Sequence, residues 1–215
     1  MLKPSRGVFI TFEGTEGSGK STLIKELSTL LSQSGYPTVT TREPGGSPLA
    51  ERIRALILEN AMDPYAELFL YEAARAEHVA KIIHPALSRG EIVLCDRFTD
   101  STLAYQSHAR GLSWNTVKRL NTIATSGLKP DLVVFLDLPP EKGLARVSDP
   151  NRFEAEGVEF QNQVRKGFLK AKAQNPSRWM TLYSDRNTPS ELAQAILKRI
   201  SPKLKARKER RGRLQ

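Results

Sequence analysis

The sequence contains a single cysteine, Cys95, and no apolar run near the ~20 residues that a membrane-spanning helix needs. One cysteine excludes an intrachain disulfide and is typical of a reducing compartment, so we expect a cytoplasmic protein that does not enter a membrane. The first residues lack the apolar core of a secretory signal, and we expect none. The histidines, His78, His84 and His108, are scattered, which argues against a histidine metal site.

Basic residues outnumber acidic ones by 10 in 215 residues, and the excess is concentrated near the end of the chain. Between Lys203 and Arg213 there are seven basic residues and one acidic residue, so this stretch carries a net charge of +6. It contains no aromatic side chain that could stack on nucleic-acid bases. We therefore expect residues 203–215 to form a disordered, solvated tail. Nucleic acid is not expected as a partner, except through this basic tail.

Residues 1–202 alternate between short β-branched or aromatic runs and segments with helical periodicity. This alternation predicts one α/β domain with a parallel sheet and helices on both faces. The run Leu132–Leu136 has no polar face, which indicates a strand covered on both sides. The predicted strands are 8–12, 37–41, 92–95, 132–136 and 179–183. The predicted helices are 49–59, 64–89, 113–126 and 156–173, together with one from residue 20 to a stop at residue 35 and a last one that opens at residues 188–191.

Residues 14–21, Gly-Thr-Glu-Gly-Ser-Gly-Lys-Ser, match the phosphate-binding P-loop pattern between a predicted strand and a predicted helix. Glycines allow the backbone to fold around phosphate, and amide groups at a helix N-terminus favour anions. Lys20 can reach the β- and γ-phosphates, and the Ser21 hydroxyl can hold Mg²⁺. The residues predicted to bind ATP or GTP are Gly14, Thr15, Glu16, Gly17, Ser18, Gly19, Lys20, Ser21 and Thr22. The motif alone leaves a GTPase, a motor, a transporter subunit and a small-molecule kinase open, although a guanine-reading Asn-Lys-x-Asp run is absent.

Further short segments accompany the P-loop. They are residues 12–14 (Phe-Glu-Gly), 41–46 (Thr-Arg-Glu-Pro-Gly-Gly), 96–98 (Asp-Arg-Phe), 100–106 (Asp-Ser-Thr-Leu-Ala-Tyr-Gln) and 130–132 (Pro-Asp-Leu). With this ordered set, the chain resembles the thymidylate kinase family over about residues 7–200. The resemblance implies the P-loop nucleoside monophosphate kinase fold, with a five-stranded parallel sheet and a short lid, and a homodimer. It also implies phosphoryl transfer from ATP, with Mg²⁺, to dTMP, which gives dTDP for dTTP synthesis.

The resemblance assigns residues to the acceptor phosphate, the sugar and the metal ion. Arg97 and Arg42 resemble clamps on the acceptor phosphate, since a guanidinium group matches two phosphate oxygens, and a surface ion pair is the alternative for each. Asp96 resembles the acid that supports Mg²⁺, or it caps the next helix. Glu16 resembles the acid that approaches the sugar 3′-hydroxyl, or it is a solvated loop carboxylate. Pro44 resembles part of the turn that shapes the acceptor site.

Four residues resemble the group that surrounds the acceptor nucleoside. Phe69 resembles the thymine platform and Arg75 the group that reads the base, and we expect them on neighbouring faces of one helix. Tyr105 resembles the residue that excludes a ribose 2′-hydroxyl, and Gln106 would lie at the base. Without the surrounding motif, Phe69 and Tyr105 would be interpreted as ordinary core residues.

The candidate lid spans residues 146–154, Arg-Val-Ser-Asp-Pro-Asn-Arg-Phe-Glu. In the family a lid closes over ATP and supplies positive charge at the transferring phosphoryl group. The predicted catalytic residues are Lys20, Asp96, Arg97, Arg146 and Arg152. One branch of the family carries an arginine inside the P-loop, where this chain has Gly17, so Arg165 or Lys166 is a further candidate source of charge.

Two alternative functions stay open at this point. The nearest is a kinase for another nucleoside monophosphate, because dUMP differs from dTMP by one methyl group, a difference of only ~1–3 kcal/mol. The other is a P-loop ATPase associated with nucleic acid, whose binding would weaken steeply with salt.

Overall fold

The computed structural model describes residues 7–148, 152–153 and 155–212, and its centre is a five-stranded sheet. The strands are β1 (Val8–Glu13), β2 (Thr38–Arg42), β3 (Ile92–Asp96), β4 (Leu132–Leu136) and β5 (Trp179–Leu182). They pair in parallel throughout, in the spatial order β2-β3-β1-β4-β5. The predicted α/β fold with a five-stranded parallel sheet is therefore confirmed.

The two faces of the sheet are covered by different helices. Leu132 and Val134 pack in one cluster with α1 (Lys20–Gln33) and α9 (Pro189–Gly212). Val133 and Phe135 point to the opposite face and pack against α8 (Gly157–Gln174). Because successive side chains of a strand alternate between faces, a strand covered on both sides must be apolar along its whole length, and every residue of β4 is buried.

The remaining helices connect the strands. They are α2 (Pro48–Glu59), α3 (Pro64–His78), α4 (His84–Ser88), α5 (Thr99–Thr102), α6 (Trp114–Ala124) and α7 (Pro140–Leu144), with π turns at Val79–Ile83 and Leu103–Ala109 and a 3-10 turn at Pro176–Arg178. The sequence pattern did not predict α5, the second π turn or α7, because these runs of four to seven residues are too short to show a helical period. Within the described ranges, no helix is long and apolar enough to cross a bilayer.

The end of the chain differs from the disordered tail expected from residue 203. Helix α9 continues to Gly212, and Leu204 is only 2% exposed and packs in the cluster formed with α1. Pro202 lacks an N–H group, and the Ser201 hydroxyl donates instead to the freed Lys198 carbonyl oxygen at 2.9 Å. Lys, Arg, Ala and Leu favour helix, and the burial of Leu204 adds a tertiary contact, so the packed domain extends past residue 202.

Candidate active site

The phosphate loop joins the end of β1 to the first turn of α1. Gly17 and Gly19 adopt left-handed backbone angles, with φ of 65° and 91°. A Cβ atom on Gly17 would lie 1.9 Å from the carbonyl oxygen of Gly143, so the last turn of α7 (Pro140–Leu144) packs directly on the loop. This close approach and the left-handed backbone leave no room for a side chain at position 17.

Lys20 and the Ser21–Asp96 pair lie at the open side of this loop. The Lys20 ammonium donates to the carbonyl oxygens of Gly14 and Thr15 at 3.2 and 3.0 Å. Burial and the neighbouring Arg97 lower the pKa of Lys20. The Ser21 hydroxyl donates to Asp96 Oδ2 at 3.1 Å, so the structure brings the two predicted metal-supporting residues together.

Asp96 Oδ1 is buried and has no hydrogen-bond partner among the described residues. An unsatisfied carboxylate oxygen beside a hydroxyl fits a hard cation such as Mg²⁺, which prefers a few oxygen ligands and keeps several water molecules. Within the described part of the chain, no cluster of three or more His, Cys, Asp or Glu residues forms a dedicated metal cage. The residues present therefore fit a Mg²⁺ ion that arrives with a nucleotide.

Arg97 follows β3 directly and holds a left-handed backbone conformation with φ 67°. Its guanidinium group donates to the Gly14 carbonyl oxygen at 3.0 Å and to Glu16 Oε1 at 2.6 Å, and it lies 5.0 Å from the ring centre of Tyr105. The Tyr105 hydroxyl donates to the same oxygen of Glu16 at 2.9 Å. Burial alone would raise the pKa of Glu16, but Arg97 and Lys20 outweigh it and lower this pKa to about 2.

Glu13 fixes the backbone that carries Arg97, a role that the sequence did not reveal. Its carboxyl group is completely buried and accepts hydrogen bonds from the Phe98 amide at 3.0 Å and the Ser101 hydroxyl at 2.5 Å. Burial, and then the nearby Asp100 carboxylate, raise the pKa of Glu13 to about 8. The left-handed turn at Arg97 is thus stabilised by the hydrogen bonds of Glu13 to Phe98 and Ser101. The Glu13 carboxyl group favours its protonated form at neutral pH.

A cleft of about 530 Å³ runs along the phosphate loop. Besides the loop residues, it is lined by Arg42, Arg54, Asp96, Arg97 and Arg146. Arg42 is half exposed and pairs with Glu51 at 3.0 Å, so the surface ion pair considered for it is present at the edge of the cleft. Arg54 donates to the Pro44 carbonyl oxygen at 3.0 Å, and no sequence motif singled it out beyond its place in an amphipathic helix.

A second, narrower cavity of about 80 Å³ continues inward from this cleft. The two cavities share the residues Glu16, Glu43, Arg54 and Arg97. Deeper in, the narrow cavity is lined by Pro44, Tyr71, Arg75, Tyr105, Gln106 and Phe153, among others. Pro44, Arg75, Tyr105 and Gln106 are therefore brought together as predicted, around one cavity that opens to the phosphate loop.

Comparisons of this chain with a family model, with the sequences of known proteins and with a solved structure all point to one family. The family model described as thymidylate kinase matches residues 12–196. A thymidylate kinase from Geotalea uraniireducens is 46% identical over 210 residues, covering 91% of this chain and 99% of the relative. One from Synechococcus sp. (strain JA-2-3B'a(2-13)) is 48% identical and covers 92% of this chain and 96% of the relative. The crystal structure of thymidylate kinase from Ehrlichia chaffeensis superimposes with a TM-score of 0.77 at 33% identity, covering 91% of this chain and 99% of that one.

The chain belongs to the thymidylate kinase family. It is a phosphotransferase that converts dTMP to dTDP with ATP and Mg²⁺. The alternative of a nucleic-acid-associated ATPase is not favoured by these findings.

Phe69 is not among the residues that line the narrow cavity, so the structure does not support its predicted role as the thymine platform. Its side chain is 55% exposed and lies against Tyr65 on the outer side of α3. Residues six apart on an α-helix differ by about 120° in direction, whereas residues four apart share a face. Tyr71, four residues before Arg75, is the aromatic residue of α3 that lines the cavity.

Arg75 lies at the cavity, but its guanidinium group is fully engaged by the protein. Its five N–H groups donate to five oxygen atoms. The partners are Glu43, Glu72, Asn121, Thr102 and the Phe98 carbonyl group, at 2.6 to 3.3 Å. In this conformation Arg75 shapes the cavity wall and offers no free donor to a base.

The two arginines predicted for the lid, Arg146 and Arg152, lie against different parts of the chain. Arg146 approaches the phosphate loop, with Nη1 3.5 Å from the Gly17 carbonyl oxygen. Arg152 instead donates to Glu67 Oε2 at 2.6 Å and lies 4.6 Å from the ring centre of Phe153, which lines the narrow cavity. Arg165 pairs with Asp137 at 2.6 Å. Residues 149–151 and 154 of the predicted lid lie outside the described residues.

Proposed function

We propose that the residues of the cleft divide the transfer of the ATP γ-phosphoryl group to dTMP between a donor side and an acceptor side. The observation that carries this proposal is that the phosphate-loop cleft and the narrow cavity meet at Glu16 and Arg97. A phosphate bound by the loop and a phosphate bound by Arg97 would lie next to each other. The narrow cavity, which opens only into this cleft among the pockets described above, also fits a single nucleoside better than a polynucleotide.

On the donor side, the loop amides and Lys20 bind the ATP phosphates. Ser21 and Asp96 would hold the Mg²⁺ ion, which neutralises phosphate charge when it is bound. Lys20 leaves its contacts with the Gly14 and Thr15 carbonyl oxygens to reach phosphate oxygens, which are the stronger acceptors because they are charged.

On the acceptor side, Arg97 and Arg42 bind the dTMP phosphate, and Glu16 accepts a hydrogen bond from the sugar 3′-hydroxyl. A phosphate monoester has its second pKa near ~6, so at neutral pH it attacks without a strong general base. The catalytic task is to hold two polyanions in line, which the converging cations do. Tyr105 closes the sugar site.

The base contacts and the lid complete the proposed site. Tyr71 packs on the thymine ring and Gln106 reads its edge, within the wall that Arg75 shapes. Arg146 supplies the lid charge at the transferring phosphoryl group, because it is the lid arginine that reaches the phosphate loop. The contacts of Arg152 do not support the catalytic role expected for it.

A homodimer is proposed for the assembly, in the cytoplasm. Phe69 and Tyr65 stand exposed on α3, at 55% and 45%, and Ile123 is 65% exposed on α6, which packs beside α3. Large exposed apolar side chains on adjacent helices are typical of a surface that a second protein covers. Elution of the chain at the size of a monomer under dilute conditions would contradict this part of the proposal.

The decisive experiment measures ADP release from Mg-ATP with dTMP, dUMP, dCMP, dGMP, AMP and UMP supplied one at a time. We expect strong dependence on dTMP and little ADP release without an acceptor. Arg97→Lys should raise KM for dTMP by about 10-fold or more, since lysine cannot bind two phosphate oxygens at once. Arg89→Lys, at an exposed ion pair outside the cleft, is the matched control. ADP release that responds to polynucleotide and not to a monophosphate would overturn the proposal.

A further inference from the structure

Glu67 is a buried carboxylate at the start of α3 that the sequence did not single out. Its side chain is 1% exposed. Oε1 accepts hydrogen bonds from Gln106 Nε2 at 2.9 Å and Arg110 Nε at 2.8 Å, and Oε2 accepts one from Arg152 Nη2 at 2.6 Å. A carboxylate removed from water needs such partners, and two of the three are guanidinium groups.

This arrangement decides which way the amide of Gln106 faces. A glutamine side chain ends in an NH₂ group on one side and a carbonyl oxygen on the other, and the two are nearly isosteric. Only the NH₂ side can donate to Glu67, because the carbonyl oxygen would meet the carboxylate with two acceptors and no proton between them. The carbonyl oxygen of Gln106 is therefore turned away from Glu67, and within the described residues no protein donor reaches it.

Gln106 lines the narrow cavity, so its carbonyl oxygen is available there as a hydrogen-bond acceptor. Thymine and uracil carry an N–H donor at N3, whereas neutral cytosine carries an acceptor at that position. The N–H groups of Arg75 all donate to protein oxygens, so in this conformation Arg75 does not offer a donor to the N3 acceptor of cytosine.

We propose that Glu67 is a positioning residue that sets base specificity by fixing the amide of Gln106, so that the site accepts bases with an N3–H group and rejects cytosine. The inference rests on the proposed placement of the dTMP base beside Gln106. Since dTMP and dUMP share the N3–H group, Glu67 has no part in distinguishing these two. The same carboxylate also anchors Arg152, which ties the lid to the residue that reads the base.

The test compares kcat/KM for dTMP, dUMP and dCMP in the wild-type chain and in Glu67→Gln. The glutamine lets the Gln106 amide face either way, so kcat/KM for dTMP and dUMP should fall together by about 10- to 100-fold while the value for dCMP does not fall. Glu156→Gln is the matched control, because Glu156 pairs with Arg110 at 3.0 Å and is not a hydrogen-bond partner of Gln106. It should leave the dTMP-to-dCMP ratio unchanged.

Further arms separate specificity from structure. In a Gln106→Leu background, Glu67→Gln should no longer change the dTMP-to-dCMP ratio, because there is no amide left to orient. N3-methyl-dTMP, which lacks the donor, should be a poor substrate of the wild-type chain. If Glu67→Gln does not fold, Glu67→Asp is the second variant. Its carboxylate can still pair with the arginines, but it is one methylene shorter and is withdrawn from Gln106 Nε2. The same change in the dTMP-to-dCMP ratio is therefore expected.

An equal loss of kcat/KM for all three monophosphates in the Glu67 variant would overturn the proposal, since a merely structural role predicts that result. Turnover of N3-methyl-dTMP at the rate of dTMP would overturn it as well. Failure of the wild-type chain to phosphorylate dTMP would instead refute the proposed function, so the two failures are distinguishable.

Discussion

The wild-type chain should become less stable as the pH rises towards 8, and replacing Glu13 by glutamine should abolish this loss. The carboxyl group is completely buried behind the phosphate loop, and burial together with Asp100 raises its pKa from 4.5 to about 8. A folded-state pKa above the unfolded value means that the folded chain holds this proton more tightly. The stabilising contribution is therefore fully present below about pH 4.5 and is lost as the pH rises through about 8.

The size of the effect follows from the same shift. Between the unfolded-state and the folded-state pKa of Glu13, each pH unit lowers the free energy of unfolding by about 1.4 kcal/mol. From about pH 5.5 to 7.5 the wild-type chain should therefore lose about 2.7 kcal/mol of stability. This value is an upper limit, since Asp100 also has a raised pKa and takes up part of the proton. Glutamine resembles the protonated acid and does not titrate, so the variant should become more stable relative to the wild type as the pH rises.

Urea unfolding at both pH values measures this directly. The difference in unfolding free energy between Glu13→Gln and the wild type should be larger at the higher pH. Glu59→Gln, which makes the same charge change at an exposed position, should show a difference that hardly depends on pH. A pH-independent difference for Glu13→Gln would refute the view that this carboxyl group is protonated at neutral pH.

Three other predictions concern the base, the lid and the end of the chain. Tyr71→Ala should raise KM for dTMP by about 10-fold or more through lost aromatic packing, while Phe69→Ala should change it little, and equal effects would contradict the assignment of Tyr71. Arg146→Ala should lower kcat by about 100-fold at saturating substrates, and a kcat near wild type would refute its catalytic role. Truncation before Lys203 should leave turnover nearly unchanged but lower the free energy of unfolding by about 1.5–3 kcal/mol, because Leu204 is buried. Truncation after residue 205 is the control, and a large loss of kcat in either would show that the tail supplies charge to the site.

The parts of the site that the sequence could predict are those fixed by short-range geometry. The phosphate loop and Asp96-Arg97 each follow the carboxyl end of a strand, and neighbouring parallel strands end at the same edge of the sheet. Knowing the strands was therefore enough to place Lys20, Ser21 and Arg97 together. The structure confirms the sheet that this reasoning requires.

Other parts depend on contacts between residues far apart in the sequence. Arg152 and Glu67 are separated by 85 positions, and no local pattern indicates that the lid arginine pairs there and not at the phosphate loop. The error at Phe69 was avoidable, because the helical period already places Tyr71 on the face of Arg75. Four of the five hydrogen bonds that engage Arg75 also come from three other segments, which periodicity cannot bring together.

The cations of the cleft are held by protein oxygens before any substrate arrives, and this shapes how the site binds. Lys20 rests on loop carbonyl oxygens, Arg97 on Gly14 and Glu16, and Arg42 on a glutamate of α2. Several positive charges can then lie close together without the repulsion that unpaired cations would suffer. Phosphate binding becomes an exchange of acceptors, in which a dianion replaces carbonyl and carboxylate oxygens. Its net free energy is a difference between two sets of hydrogen bonds, so affinity for dTMP depends on the existing partners of Arg97 as much as on its charge.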